Sequence, residues 1–584
     1  MFKGLFFFIK QGWKYDKRYV LWRILYQFVN SMIPVAGILI PRYIIDELMG
    51  EKRTDRIFVY VAILAGYTLA ATAFSHYLSW DGFTRRCRVA AEFDSDLHRR
   101  LVECDYQNLE SPEFLNMQQK AKKFLYCDWH GFGYLLDCAL NIVGQGFTVI
   151  SIIAIIATLN VWIVLLFILL SAISAFISSR AKRKAFNFSE QVIADQRSWT
   201  HCSELFEDHA YAKEIRLNAI GDMLLNWERR CFTRISNNLK QQNDVFISAG
   251  VIDAVLVCVR QCAAYGYLIR EVLRDSISIG SFTMYVSAVT AFATSLSAIM
   301  DSFAEIRAYD FYYDKLDEYM SIPATLRGGK KEPSENPRTI EFRHVSYRYP
   351  GSETYALRDV NITLTAGQKL LIVGENGAGK STFVKLLTRL YDPTEGEILL
   401  DGVNIKEIDY DRYMSVFSTA FQDYKLFSLS LKENVALSIP MDEARVEQVL
   451  RQVGFGSKLD SLPKGLDTSV TKIFDKDGIE PSGGEGQKIA IARALYKDAP
   501  VVVLDEPTAA LDPRAEYELY QNFSALTGDK TAVYISHRMA GAKFCDIVAV
   551  FENGTIIEYG THAELTKLNG KYAELFRMQA AFYI

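Results

Sequence analysis

The residues from 369 to 382 have a composition and spacing suited to binding phosphate. An apolar run, KLLIVG, leads directly into GENGAGKST. Glycines allow the backbone to curl so that several N–H groups point at phosphate oxygens, and the start of a helix adds its dipole. Lys380 then supplies a positive charge to the β- and γ-phosphates, and Ser381 supplies a hydroxyl to Mg²⁺. The residues expected to contact ATP in this loop are Gly374, Glu375, Asn376, Gly377, Ala378, Gly379, Lys380, Ser381 and Thr382.

Two carboxylates end a second apolar run, VVVLDE. Asp505 is placed to hold magnesium through water, and Glu506 is placed to orient and deprotonate the attacking water. Because an Asp-Glu pair is common by itself, this interpretation depends on the phosphate loop that accompanies it. The two motifs together predict hydrolysis of ATP with Mg²⁺ as the metal.

A third motif makes the resemblance to a known family specific. The run SGGEGQKIAIARAL is similar to the signature loop of the ATP-binding cassette (ABC) family, and the whole chain resembles bacterial exporters with six helices and one cassette. In that family the signature of one subunit closes over the nucleotide bound by the other, so the resemblance implies a dimer. Ser482, Gly483 and Gly484 would then donate hydrogen bonds to the γ-phosphate from the start of a helix.

Four further positions match residues of this family, and their roles are implied by the resemblance. Tyr349, in YRYPG, matches the aromatic residue that stacks on adenine, and Gln422, in AFQDYKLF, matches a glutamine that contacts Mg²⁺ and the membrane domain. Asp512, in AALD, matches a residue that links the two sites across the dimer. His537, in YISHR, matches the histidine that contacts the γ-phosphate. The expected catalytic set is Lys380, Gln422, Glu506 and His537.

The signature departs from the family pattern at three positions. Pro481 stands where leucine is usual, Glu485 where glutamine is commonest, and Gly486 where a basic residue is frequent. Upstream, VTKIFDKDGIE replaces the segment with glycine and glutamate that many exporters carry before the signature. The serine and both glycines are kept, so contact with phosphate is still expected.

Apolar helices precede these motifs. From Cys138 to Ser179 there are 42 consecutive residues without a formal charge. As one helix this run would measure about 63 Å, twice a bilayer core of about 30 Å, so it predicts two spans joined by a turn near residues 158–160. The other predicted spans are Val20–Ile40, Ile57–Trp80, Val245–Ile269 and Ser276–Met300, which brings the number to six.

Basic residues predict the orientation of these spans. Five lysines and arginines precede the first span, and the long segments after the second and fourth spans are also basic. This distribution predicts that both termini and the ATPase domain are cytoplasmic, in a multi-pass protein of the cell membrane surrounded by lipid bilayer.

The chain of 584 residues is too long for one hydrophobic core, and it divides at a stretch rich in glycine, proline and charge, LRGGKKEPSENPRT. The expected fold is an all-α six-helix transmembrane domain of the type IV exporter class, followed by an α/β phosphate-loop ATPase domain. The predicted bounds are 1–320 for the transmembrane domain, 321–337 for the linker and 338–584 for the nucleotide-binding domain. The net charge of −4 argues against a nucleic-acid partner.

The sequence says less about the identity of the substrate than about the reaction. Export of a peptide or amphipathic compound is favoured because SPEF and AKEIRL resemble segments of bacterial peptide and bacteriocin exporters. A lipid flippase, a multidrug exporter, and an ATP-gated channel or sensor are the alternatives. Asp253 and Arg260, seven residues apart on one predicted span, are candidates for a hydrated translocation cavity because mid-membrane charges are costly elsewhere. A homodimer is favoured over a heterodimer, since all motifs of a complete site occur in this chain.

Overall fold

The structure is a computed structural model that describes residues 2–126, 131–157, 161–208, 211–274, 276–507, 527–536 and 539–580. Its contacts divide the chain into two compact units. The first comprises Met1–Val102 and Glu113–Ile322, and the second comprises Glu103–Pro112 and Pro323–Ile584. A short piece from the helical half, Glu103–Pro112, is therefore part of the second unit.

The helical half is built from long helices joined by short ones. They are α1 (Lys3–Tyr15), α2 (Lys17–Met49), α3 (Thr54–Glu103), α4 (Tyr106–Leu109), α5 (Pro112–Tyr126), α6 (Tyr134–Ala157), α7 (Val161–Glu207), α8 (Ala212–Leu217), α9 (Gly221–Leu273) and α10 (Ile279–Ser321). At 1.5 Å per residue, the 50 residues of α3 extend about 75 Å, more than twice a hydrocarbon core of about 30 Å. Helices of this length continue well beyond their apolar parts, and the buried Phe93 and Leu97 of α3 lie in such a continuation.

Among the described residues, five helices are long and apolar enough to cross a membrane: α2, α3, α6, α9 and α10. These helices contain the first, second, third and fifth predicted spans, and α10 contains most of the sixth. The fourth predicted span falls in α7, where the side chains from 161 to 168 lie outside the described residues, as does the predicted turn at 158–160.

Helix α1 packs closely on the helical unit through a glycine. The backbone N–H of Gly4 donates to the Asp310 carboxylate at 3.0 Å, and a Cβ at Gly4 would lie 2.9 Å from the ring of Phe124. One turn further, the buried Phe8 stacks on the same ring with centroids 5.2 Å apart. Aromatic packing of this kind fixes the start of the chain against the helices.

The second unit contains two sheets. An antiparallel sheet has the order β2 (Leu357–Thr365), β1 (Thr339–Tyr347), β4 (Glu395–Leu400) and β5 (Val403–Asn404). The larger sheet has the order β10 (Thr555–Gly560), β9 (Ile547–Glu552), β3 (Lys369–Gly374), β8 (Thr531–Ile535), β7 (Val501–Asp505) and β6 (Phe417–Ala420). Adjacent strands of this sheet are parallel, except that β9 and β10 are antiparallel to each other. The strands predicted at Lys369–Val373 and Val501–Leu504 are confirmed as β3 and β7.

The helices of the second unit cover these sheets. They are α11 (Lys380–Leu387), α12 (Tyr410–Ser415), α13 (Leu431–Ala436), α14 (Glu443–Gln452), α15 (Gly456–Asp460), α16 (Gly483–Lys497), α17 (His562–Leu568) and α18 (Lys571–Ala580). Helix α11 is held by Phe383, which is fully buried and stacks on Phe342 of β1 with ring centroids 4.5 Å apart. The same ring meets Phe551 of β9 edge-on at 5.6 Å. Packing against both sheets fixes the position of the helix that follows the phosphate loop.

The piece Glu103–Pro112 is attached to the second unit by a buried carboxylate. Asp105 is 4% exposed and accepts hydrogen bonds from the backbone N–H groups of Thr325 and Leu326, at 2.9 and 3.1 Å. The carbonyl of Leu326 in turn accepts from the buried guanidinium of Arg389 at 2.9 Å. Buried polar groups are stable only when they are hydrogen-bonded, and these partners satisfy that requirement.

Candidate nucleotide-binding site

The phosphate loop lies between β3 and α11, at the carboxyl edge of the larger sheet. Gly377 and Gly379 have φ values of 80° and 101°, in the left-handed region that side chains disfavour. A Cβ at Gly379 would also lie 2.7 Å from the Leu357 side chain and 2.8 Å from the carbonyl oxygen of Ala356. Glycine is therefore required at 379, where the chain turns into the first residue of α11.

Lys380 is 6% exposed and spans the loop from inside. Its ammonium donates to the carbonyl oxygens of Gly374 and Glu375, both at 2.9 Å. Burial lowers the pKa of Lys380, although the carboxylates of Glu506 and Asp505 act in the opposite direction. An anion bound in the loop would place negative charge beside this ammonium and stabilise its charged form.

A cavity of about 330 Å³ at the phosphate loop is the candidate site for the nucleotide. It is open to solvent, as is a cavity of about 600 Å³ in the first unit. The candidate site is lined by Tyr349, Ala356, Asn376, Gly377, Gly379, Lys380, Ser381, Thr382, Gln422 and Glu506. Residues from four separate places in the sequence thus meet at one loop. This grouping brings together Tyr349, Gln422, Glu506 and six residues of the predicted phosphate loop.

The two carboxylates at the end of β7 differ in their surroundings. Burial, together with the neighbouring Glu506 carboxylate, raises the pKa of Asp505 to about 6, against the opposing effects of Lys380 and of a hydrogen bond with Ser381. Glu506 has a left-handed φ of 49° and donates its backbone N–H to Ile535 at 3.0 Å. The Gln422 side chain donates to the Glu506 carboxylate, also at 3.0 Å. Glu506 is therefore oriented through both its backbone and its side chain.

The donor set beside the loop fits a hard cation such as Mg²⁺. Ser381, Gln422 and Asp505 offer hydroxyl, amide and carboxylate oxygens, which are the ligands that this metal prefers. Within the described residues no group of three His, Cys, Asp or Glu side chains is arranged to hold a metal unaided.

Tyr349 also lines this cavity. Its hydroxyl is 3.1 Å from the Thr382 hydroxyl, and its ring meets those of Tyr347 and Tyr391 edge-on at 5.1 and 5.7 Å. The ammonium of Lys385 is 5.7 Å from the centre of the Tyr349 ring. These contacts fix the ring beside the cavity, where an adenine could stack on it.

The neighbours of Tyr349 include residues that the sequence reasoning did not select. Lys385 pairs with Glu110 at 3.2 Å, and the Tyr391 hydroxyl donates to the other oxygen of the same carboxylate. Burial alone would raise the pKa of Glu110, but the bonds from Tyr391 and Lys385 hold it below its usual value. Glu110 stands 275 residues before Lys385, so only the tertiary fold places them together.

The signature residues begin α16. The Ser482 hydroxyl accepts from the backbone N–H of Glu485 at 3.3 Å, and the Glu485 carboxylate accepts from the backbone N–H of Ser482 at 2.8 Å. This reciprocal pair is a capping box, which stabilises the start of a helix. Glu485, one of the three departures, also pairs with Lys458 at 3.1 Å. The acidic residue at 485 therefore has a local structural role.

Four predicted site residues remain to be placed. Asp512 and His537 lie outside the described residues. On α9, Asp253 is half-buried and accepts a hydrogen bond from the Ser174 hydroxyl of α7, and Arg260 is 7% exposed. The structure thus describes the phosphate loop, both carboxylates and the signature, and it leaves two of the residues drawn from the family resemblance untested.

Comparison with known proteins identifies the family. A family model described as ABC transporter matches residues 357–509. An ATP-dependent lipid A-core flippase of Haemophilus ducreyi (strain 35000HP / ATCC 700724) is 30% identical over 450 residues, covering 75% of this chain and 75% of that protein. The chain belongs to the ABC transporter family. The subtilin transport ATP-binding protein SpaT of Bacillus subtilis is 28% identical over 572 residues, covering 94% of this ABC transporter and 90% of that protein.

A solved structure, described as a bacterial Atm1-family ABC exporter with ATP bound, resembles the whole of this ABC transporter. The match has a TM-score of 0.81 at 19% identity and covers 97% of this chain and 98% of the other. It confirms the predicted exporter fold, a helical membrane domain followed by an α/β ATPase domain. The family model and the relatives confirm the prediction of an ATPase that drives transport.

Replacing the two charged groups of the site should separate binding from hydrolysis. In Lys380→Ala, the loss of a charged contact to phosphate should weaken ATP binding roughly 10- to 100-fold. In Glu506→Gln, ATP binding should stay near the wild-type value while hydrolysis falls by a factor on the order of 10² or more, because the carboxylate expected to activate water is lost. Equilibrium ATP binding and steady-state phosphate release, measured on the same purified samples, check both. A Glu506→Gln protein that keeps half the wild-type rate would contradict the role of Glu506.

Proposed function

We propose that two copies of this chain form an exporter that moves a peptide or amphipathic compound across the cell membrane, with ATP hydrolysed at sites shared between the copies. The observation that supports shared sites is the separation of two motifs. Ser482 and Gly483 are exposed, and neither lines the cavity that contains Lys380 and Glu506 in the described part of the chain. A second subunit is needed to bring a signature serine to the phosphates.

In such a site each residue has a distinct task. Lys380 and the loop N–H groups bind the phosphates, Tyr349 stacks on adenine, and Glu506 accepts the proton of the attacking water. Mg²⁺, when bound through Ser381, Gln422 and Asp505, neutralises charge on the phosphates. We further propose that His537 contacts the γ-phosphate and that Asp512 links the two sites.

The capped start of α16 is suited to a phosphate contact across the dimer. Helix N-termini present unpaired backbone N–H groups and the positive end of the helix dipole. Ser482 uses its hydroxyl oxygen to accept from Glu485, and a hydroxyl that accepts one hydrogen bond can still donate another. Pro481 precedes this helix, where a missing N–H is tolerated.

The helical unit contains a polar cavity of about 510 Å³, which supports a substrate that carries polar groups. Arg23 of α2 pairs with Asp137 of α6 at 2.6 Å, and Asn141 donates to the Ser302 hydroxyl of α10 at 3.1 Å. The cavity is lined by Arg23, Gln27, Tyr134, Asp137, Cys138, Asn141, Ala298, Asp301, Ser302 and Glu305. Amphipathic compounds and peptides combine such groups with apolar surface.

A lipid flippase is the second candidate, because the relative from Haemophilus ducreyi is described as one. The relative from Bacillus subtilis is described as a subtilin transport protein. The resemblance of SPEF and AKEIRL to segments of peptide exporters favours a peptide. A channel or sensor that uses ATP only to switch is less favoured, because Glu506 is retained and oriented for turnover.

Substrate class can be tested through stimulation of the ATPase. With the purified chain in liposomes, we expect amphipathic peptides to raise the rate several-fold, since bound substrate favours the states that lead to hydrolysis. Lipids of the lipid A class serve as the comparison, and Glu506→Gln serves as the blank. Stimulation by the lipids alone would replace the peptide proposal with the flippase.

Asp253 and Arg260 remain candidates for the translocation path. Charged groups within a membrane are costly unless they face water or a partner, and Ser174 is one such partner for Asp253. In a cysteine-free background, Asp253→Cys and Arg260→Cys should react with a water-soluble thiol reagent before ATP is added. Asp301→Cys, on the wall of the polar cavity, is the matched positive control. Labelling at 301 without labelling at 253 or 260 would assign the two charges a structural role instead.

Mixing wild-type with Glu506→Gln subunits tests the homodimer. If two coupled sites are formed by two copies, activity should fall faster than in proportion to the mutant fraction, because mixed dimers are also impaired. Closed twofold dimers are the commonest protein assemblies. The ATPase rate is measured against the mutant fraction after co-reconstitution. An inactive chain that gains activity only with a different second subunit would favour the heterodimer.

A further inference from the structure

The segment that carries Gln422 is attached to the start of the signature helix by one tyrosine. The hydroxyl of Tyr424 donates to the carbonyl oxygen of Gly483 at 2.8 Å. This carbonyl lies in the first turn of α16, one residue after Ser482. Tyr424 is half-buried, and burial raises the pKa of its phenol, so it remains a neutral donor at physiological pH.

The ring of Tyr424 occupies the space beside Gly486. A Cβ at position 486 would lie 2.7 Å from the Tyr424 hydroxyl oxygen and 3.1 Å from Cε2 of the same ring. Glycine is a poor helix former, so a buried glycine in the first turn of α16 calls for a reason. The ring supplies it, and the departure of this signature from the family pattern at 486 follows from the presence of Tyr424.

The same segment is attached at two other points. Gln422 donates to the Glu506 carboxylate at 3.0 Å. The Lys425 carbonyl oxygen accepts a hydrogen bond at 3.3 Å from the guanidinium of Arg493, which lies further along α16. From α16 itself, the buried Gln487 donates to the Glu506 carbonyl oxygen at 2.8 Å. Glu506, Gln422, Tyr424 and the signature are therefore connected by a continuous series of contacts within one chain.

We propose that Tyr424 is a positioning residue that transmits the nucleotide state at Gln422 to the signature of the same chain. The proposal rests on the shared sites described under the proposed function. There, the signature faces the nucleotide of the partner subunit, so Tyr424 connects one nucleotide site with the other. The tyrosine does not contact ATP; it acts through Gly483 and Gly486.

A mutant cycle between Tyr424 and residue 486 tests this connection. Gly486→Ala should lower the ATPase kcat about three- to tenfold, because the added methyl pushes the ring away. Tyr424→Phe keeps the ring and loses the hydrogen bond, so its kcat should fall by a smaller factor. In a Tyr424→Ala background, Gly486→Ala should have almost no additional effect, because the ring is already absent. ATP affinity at the phosphate loop should stay within about twofold of wild type throughout.

A second measurement does not depend on turnover. With Mg²⁺ and a non-hydrolysable ATP analogue, hydrogen exchange in the peptide covering 482–487 should slow in the wild-type protein and change much less in Tyr424→Phe. Tyr496→Phe is the matched control, since Tyr496 lies on the same helix and accepts from the backbone N–H of Asp442 at 2.9 Å. We expect it to behave as the wild type in both assays.

The outcomes separate the two proposals. Equal exchange in Tyr424→Phe and wild type, or additive effects of the 424 and 486 substitutions, would overturn the role of Tyr424. If the wild-type chain alone has no ATPase activity, the homodimer proposal fails. Analogue-dependent exchange at 482–487 would still decide whether Gln422 and the signature are linked within one chain.

Discussion

The proposed binding of phosphate by the backbone N–H groups of residues 374–382 is the interaction that accounts for how the second unit is built. Those groups converge only if the chain leaves a buried strand, turns through residues with left-handed φ, and enters a helix at once. The strand must therefore be central and rigid, and β3 lies between β8 and β9. The helix must be fixed as well, and Phe383 fixes α11 by packing between β1 and β9. The two sheets are the support that this loop requires.

The helical half follows a different constraint, set by the cost of exposing backbone polar groups to hydrocarbon. Helices satisfy these groups internally, which accounts for the long apolar segments. Polar side chains within them must then find partners. The ion pair of Arg23 with Asp137 and the hydrogen bonds of Asn141 provide such partners and surround a cavity at the same time. A wall of paired polar groups can face water without leaving unsatisfied charges in the membrane.

Much of this could be predicted from local sequence, because local physics determines it. The glycines before Lys380, the carboxylates at the end of β7 and the Ser482–Glu485 pair each lie within a few residues of one another. The departure at Gly486 was harder to interpret, since its reason lies elsewhere in the chain. Gly486 is explained by a ring 62 positions earlier. The individual contacts of Glu110 with Lys385 and Tyr391 could not be predicted, because these partners stand 275 and 281 positions away in the sequence.

The attachment of Glu103–Pro112 changes what counts as a complete ATPase domain. A fragment beginning at residue 338 would lack both Asp105 and the stretch around Leu326 whose carbonyl binds Arg389. Its Lys385 and Tyr391 would lose the Glu110 carboxylate beside the tyrosine expected to hold adenine. The part of the chain that must be exchanged to move an ATPase domain from one exporter to another is therefore discontinuous in sequence. A chimaera that joins two parents at the linker alone inherits a cassette from one and its ten-residue supporting piece from the other.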